Sequence, residues 1–168
     1  MSLIARVGAA AVAATLSTFA AAAVERAGVP DDYRLSMQMI ENCMKSQTRI
    51  IERAAREPKL KAELEADQPV TSEQMNVEHL TKQLESTMPN VSALMKQYGC
   101  SARDYATMML ATMQAAAVAS LTDGGREAPA ELSFVPKENV EFLRKNEPRL
   151  RALSDEVSTA REKAGIKD

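Results

Sequence analysis

The chain has 168 residues, enough for one domain at roughly 100–200 residues per domain. Lys and Arg number 21 against 23 Asp and Glu, a formal net charge of −2, which excludes the basic excess of a dedicated nucleic-acid binder. Aromatic residues are 4% of the chain and Trp is absent, which argues against base-stacking platforms, while 45% hydrophobic residues argue against wholesale disorder.

Residues 1–23, MSLIARVGAAAVAATLSTFAAAA, open the chain with one positive charge, Arg6, ahead of an uncharged stretch that ends in small residues. Ala21-Ala22-Ala23 fits an A-x-A exit, and the order is that of a secretory signal peptide cleaved near Ala23. Retention of the leader as a membrane anchor is the alternative. Cleavage after Ala23 leaves 168 − 23 = 145 residues, with 20 basic against 23 acidic side chains. A chain of that length buries about two-thirds of its unfolded surface and needs no metal staple to fold. The leader points to a bacterial periplasm or exterior.

Every later element reads as a helix. Asp31 or Asp32 is positioned to cap the first, and Leu35, Met39, Cys43, Ile50 and Ala54 fall on one of its faces. Pro58 ends or kinks it, with a short polar segment beyond. Pro69 breaks the chain again, and Thr71 with Gln74 forms a T-x-x-Q capping box ahead of Val77, Leu80, Leu84 and Met88. Pro89 opens a short turn or helix carrying Val91, Leu94 and Met95, and Gly99 suits the left-handed position after it. Ser101 and Asp104 form a second capping box, and the segment from Tyr105 to Leu121 carries no charge. A helix apolar on nearly every side is a buried one, and Thr and Gln inside it make it polar for a membrane span. Asp123-Gly124-Gly125 stops it, and residues 123–135 are the longest loop. Pro136 suits the first position of a last helix with the stripe Val140, Leu143, Leu150, Leu153 and Val157, kinked or broken at Pro148. Phe134 and Phe142 are placed to pin the loop to the bundle. Gly165 closes the helix before a polar tail, residues 165–168.

The expected fold is therefore all-α: a compact bundle of four to five helices, one domain over residues 24–164, around a central, largely uncharged helix near 102–121. Cys43 and Cys100 are the only cysteines. In an exported chain they allow one bridge, worth roughly 4 kcal/mol in the chain-entropy model. Two buried thiols are the alternative, since free Cys packs as a small hydrophobe.

Chemistry-bearing patterns are few. His79 is the only His, so H-E-x-x-H and the Glu-x-x-His of di-iron bundles are absent, as is C-x-x-C-H for covalent haem. Met37-x-Met39 and Met108-Met109-x3-Met113 bring thioethers close together, and soft sulfur suits Cu(I). Flexible core filling is the ordinary role of Met in an Ala-rich bundle. G-x-S-x-G and S-x-x-K are missing, and Gly124-Gly125 is a stop signal rather than a phosphate cradle. The surface carboxylates read as partners of basic residues one turn away, Glu52 with Arg56 for example. The basic stretch Arg144, Lys145, Arg149 and Arg151 is diluted by Glu141 and Glu147 and reads as a solvated face.

Two patches, Cys100-Ser101-Ala102-Arg103-Asp104-Tyr105 and Val135-Pro136-Lys137-Glu138-Asn139-Val140-Glu141-Phe142, together give a C-terminal half that resembles uncharacterised small exported helical proteins of bacteria. The resemblance implies an exported helical fold and carries no site residues. Cys100, just before the cap, departs from that pattern.

The functional expectation is an exported, non-enzymatic helical protein that acts by binding a protein, an apolar ligand or an envelope component. It is expected to bind no nucleic acid and to use no cofactor, metal or catalytic residue. It keeps no stable membrane span once cleaved. Its rivals are a Cu(I) or haem carrier using the Met-rich helices and His79, and an envelope protein anchored by its leader.

Overall fold

The computed structural model describes residues 27–66, 70–71, 74–123, 125 and 127–166. The expected leader, Arg26, Pro69 and Gly124 lie outside these residues. The described chain forms six α-helices: α1 (Met37–Ala54), α2 (Pro58–Glu65), α3 (Val77–Thr87), α4 (Pro89–Gln97), α5 (Ala102–Leu121) and α6 (Lys137–Ala164). A single turn of 3₁₀ helix, Ala130–Leu132, interrupts the loop before α6. The all-α bundle stands as expected, with six helices instead of four to five, because the prolines start helices as well as stop them. Pro58 and Pro89 both occupy the first turn of a new helix, where a missing N–H is harmless.

Local capping differs from the expectation in three places. Asp31 and Asp32 belong to a turn closed by the Tyr33 N–H donating to the Pro30 carbonyl at 2.9 Å. The cap of α1 is Ser36, whose hydroxyl accepts from the Met39 N–H at 3.3 Å. Leu35 therefore lies outside the helix, although it is buried as its place in the apolar stripe requires. Thr71 and Gln74 do pair, the Thr71 N–H donating to the Gln74 side chain at 3.1 Å, but within a turn. Asn76 caps α3 instead, accepting from the His79 N–H at 2.8 Å. It stands immediately before the first apolar residue, where a short acceptor side chain is strongly favoured. Pro136 is the residue before α6 rather than its first.

The capping box at α5 forms in both directions: the Asp104 N–H donates to Ser101 Oγ, and the Ser101 N–H donates to Asp104 Oδ2, each at 3.1 Å. Twelve of the twenty residues of α5 are buried, so it is the central helix. Its alanines let α3 and α6 pack closely across it. Pro148 lies within α6 without ending it. It is exposed, so the carbonyl it leaves unpaired one turn earlier is within reach of water.

Two features orient the bundle. The helices α1 and α6 run side by side in the same direction, with Leu35 beside Asn139 and Glu41 beside Arg149. Cys43 and Cys100 have no exposed surface, and their sulfur atoms lie at disulfide distance, 1.99 Å, with 5.0 Å between the Cα atoms. Among the described residues no helix is long and apolar enough to cross a membrane. After Gly165, in the left-handed conformation at φ 60°, Ile166 returns to the core at 7% exposure.

Candidate interaction surface

The residues singled out for chemistry fall mostly into structural positions. Met108 and Met109 are core residues of α5, whereas Met113 on the next turn is 43% exposed. Met37 and Met39 are half-buried, and Met39 Sδ lies 4.0 Å from Cys43 Sγ, one turn away on α1. His79 is half-buried in the first turn of α3, following the Asn76 cap. Among the described residues no three His, Cys, Asp or Glu side chains converge as a metal-holding group.

The basic stretch of α6 is largely tied to the fold. Arg144 reaches the end of α5, donating to the Ala119 carbonyl at 3.2 Å and the Thr122 hydroxyl at 2.9 Å. A cation there suits the negative end of the helix dipole. Arg149 donates twice to Glu41 Oε1, at 3.1 and 3.0 Å, while Lys45 donates to the other oxygen at 2.8 Å. Those hydrogen bonds hold the Glu41 carboxyl below its ordinary pKa. Arg151 pairs with Glu147 at 3.0 Å.

On α1 the pairing differs from the expected one. Arg53, rather than Arg56, finds an acidic partner: it donates to Glu57 at 2.6 Å, and this bond raises its pKa. Arg49, one turn earlier on α1, lies 5.6 Å from the centre of the Tyr98 ring. Among the described residues Glu52 has no ion-pair partner within 4.0 Å, and it stands on the rim of an open groove between α1 and α6.

This groove has a volume of about 780 Å³. Small side chains line it: Thr48 of α1, Ala55 just after that helix, and Ala152, Thr159, Ala160 and Ala164 of α6. Glu52, Asp155 and Glu156 stand along it, with Lys163 toward the end. All four charged residues are exposed. The lining follows from the sequence: in α6 the large apolar residues of the stripe, Leu153 and Val157, turn into the core. Four of the seven α6 positions that line the groove, Ala152, Thr159, Ala160 and Ala164, are small, so the two helices meet below a trough instead of a ridge. Hydrophobic periodicity alone does not reveal the groove, because a seam is created by two helices that are distant in sequence.

One interior void is far smaller. Where α1 through α5 converge, a void of about 10 Å³ lies between Gln47, Leu84, Met95 and Tyr105 and their neighbours. Its accessible wall is entirely apolar, and it is no larger than a water molecule. Comparison of the chain with models of protein families, with curated proteins and with solved structures finds no match.

Proposed function

We propose that the protein is an exported, non-enzymatic helical binding module of the bacterial periplasm or exterior, and that it meets a protein partner through the face formed by α1 and α6. The observation that carries this reading is the open groove along that face, with its small-residue lining and exposed carboxylates. Ahead of the groove its two helices are tied together by the Glu41–Arg149 pairing and by the buried Asn139 side chain, which bonds both Tyr33 and Leu35. A rigid surface loses little conformational entropy on binding. The Cys43–Cys100 pair at disulfide distance is compatible with an oxidising compartment and supports export.

The test is mass analysis of protein recovered from the envelope fraction of its host. The denatured, unreduced protein is expected to have lost about 23 residues by signal cleavage and to be two protons lighter than the dithiol. Its native mass is expected to carry no haem or copper. A stoichiometric metal or haem would overturn the binding-module reading, as would turnover of a substrate by the pure protein. A full-length chain that stays in carbonate-washed membranes would overturn release from the membrane.

A further inference from the structure

We infer that the α1–α6 groove docks a cationic amphipathic helix of a partner protein, a proposal that rests on the binding-module reading and names the chemistry of its partner. The α6 wall, residues 152–164, extends for about 18 Å at 1.5 Å per residue, the length of three turns of a docked helix. Its lining of Ala and Thr puts no bulky side chain of its own in the way, so an incoming helix can approach closely. An incoming apolar stripe at i, i+3, i+4 and i+7 supplies the bulk that the lining lacks. A single linear alkyl amine would leave most of a 780 Å³ trough to water.

Charge decides the character of the partner. Glu41, Glu57 and Glu147 elsewhere on α1, α6 and the turn after α1 are engaged in ion pairs. Glu52, Asp155 and Glu156, the three carboxylates on the groove, have no ion-pair partner within 4.0 Å among the described residues, and Lys163 is the single opposing charge there. The surface complementary to this trough is therefore an apolar stripe flanked by Lys or Arg, not an acidic or neutral helix.

Isotope-labelled protein, exported and processed by its expression host, is titrated with an amphipathic Leu/Ala/Lys peptide of about 18 residues, five helical turns. The expected result is saturable binding that shifts the amides of residues 48–55 and 152–164. The triple variant Glu52→Gln/Asp155→Asn/Glu156→Gln is expected to weaken binding about tenfold, the loss expected from removing two or three exposed charge contacts. A charge-matched control, Glu78→Gln/Glu85→Gln/Glu141→Gln, is expected to retain nearly full affinity. Ala152→Phe, which fills the groove without changing charge, is expected to block the peptide while leaving the melting temperature unchanged. Equal weakening by the groove and control triples would overturn the inference, because only net charge would then be at work. Shifts confined to another face would also overturn it, yet would leave the binding-module reading standing. Complete competition by spermidine with the same footprint would overturn the helix in favour of a small polyamine.

Discussion

Gln47 occupies the core stripe of α1, 4% exposed, and neither its amide nitrogen nor its amide oxygen has a hydrogen-bond partner among the described residues. A buried amide left in this state costs about 1–3 kcal/mol. Gln47→Met keeps the length of the side chain and removes the polar atoms. It is expected to stabilise the fold by about 1 kcal/mol, raising the melting temperature by about 2–4 °C. A lower melting temperature would show that the amide is satisfied. Glu41 gives a second test at this scale. Its folded pKa lies below its ordinary value because Lys45 and Arg149 hydrogen-bond the carboxylate. Its contribution to stability is therefore full above the unfolded pKa and is lost as the pH falls through the folded one. Glu41→Gln is expected to flatten the acid limb of a stability–pH profile and to leave the alkaline limb unchanged, as read by urea melts at a series of pH values. Which residues matter singly was only partly legible in the sequence. Cys43 was visible on the inner face of its helix because the spacing of apolar neighbours places it there. Gln47 was not, since periodicity reports how often a face is apolar and cannot reveal a polar residue enclosed within it. The freedom of Glu52 was hidden for a related reason: Arg53 and Arg56 both lie close in sequence, and rotamer packing decides which of them finds a carboxylate.

At the scale of elements, the start of α4 shows how one helix completes another. Met88, the residue at its N-terminus, offers no side-chain cap. Glu63 of α2 takes that place, accepting from the Asn90 and Val91 backbone N–H groups at 3.0 and 3.1 Å and from the Asn90 side chain. Its carboxylate also lies at the positive end of the α4 dipole. Glu63→Ala is expected to destabilise the protein by about 1–2 kcal/mol, and Glu63→Gln by less, since the amide oxygen still accepts. Hydrogen exchange should localise the loss, with the α4 amides exchanging faster while α6 is unaffected. Such long-range caps explain which helix ends were legible. The Ser101–Asp104 box closes within four residues, so its letters suffice. Thr71 and Gln74 have equally suitable letters, but Asn76 lies closer to the first buried residue and takes the cap. The letters around Pro148 predict a kink or break. α6 runs through it because the freed carbonyl is on the wet side and α1 supports the opposite face.

For the whole molecule, the Cys43–Cys100 pair joins the middle of α1 to the junction of α4 and α5, across a sequence separation of 57. A bridge across that interval stabilises by about 4 kcal/mol in the chain-entropy model. Cys43→Ser/Cys100→Ser is expected to lower the melting temperature by on the order of 10 °C. Thiol titration of the unfolded, unreduced wild type should find no reactive group. The all-α architecture was readable because almost every helix carries its own stripe and punctuation. The groove was not, because it depends on α1 and α6 running in the same direction, which no local signal encodes. One contact at the edge of the bundle bears on the maturation of the chain. The Ala27 carbonyl accepts from the Val77 N–H at 2.7 Å, and Ala27 itself is 5% exposed. The first residue of α3 thus receives its backbone partner from the segment just behind the expected leader. Removing residue 27 would orphan a buried donor, at a cost of about 1–3 kcal/mol. On the export route proposed above, the fold sets a downstream limit on signal cleavage: a cut after Ala23 would keep this bond, whereas one that removed Ala27 would give up part of the stability of the processed chain.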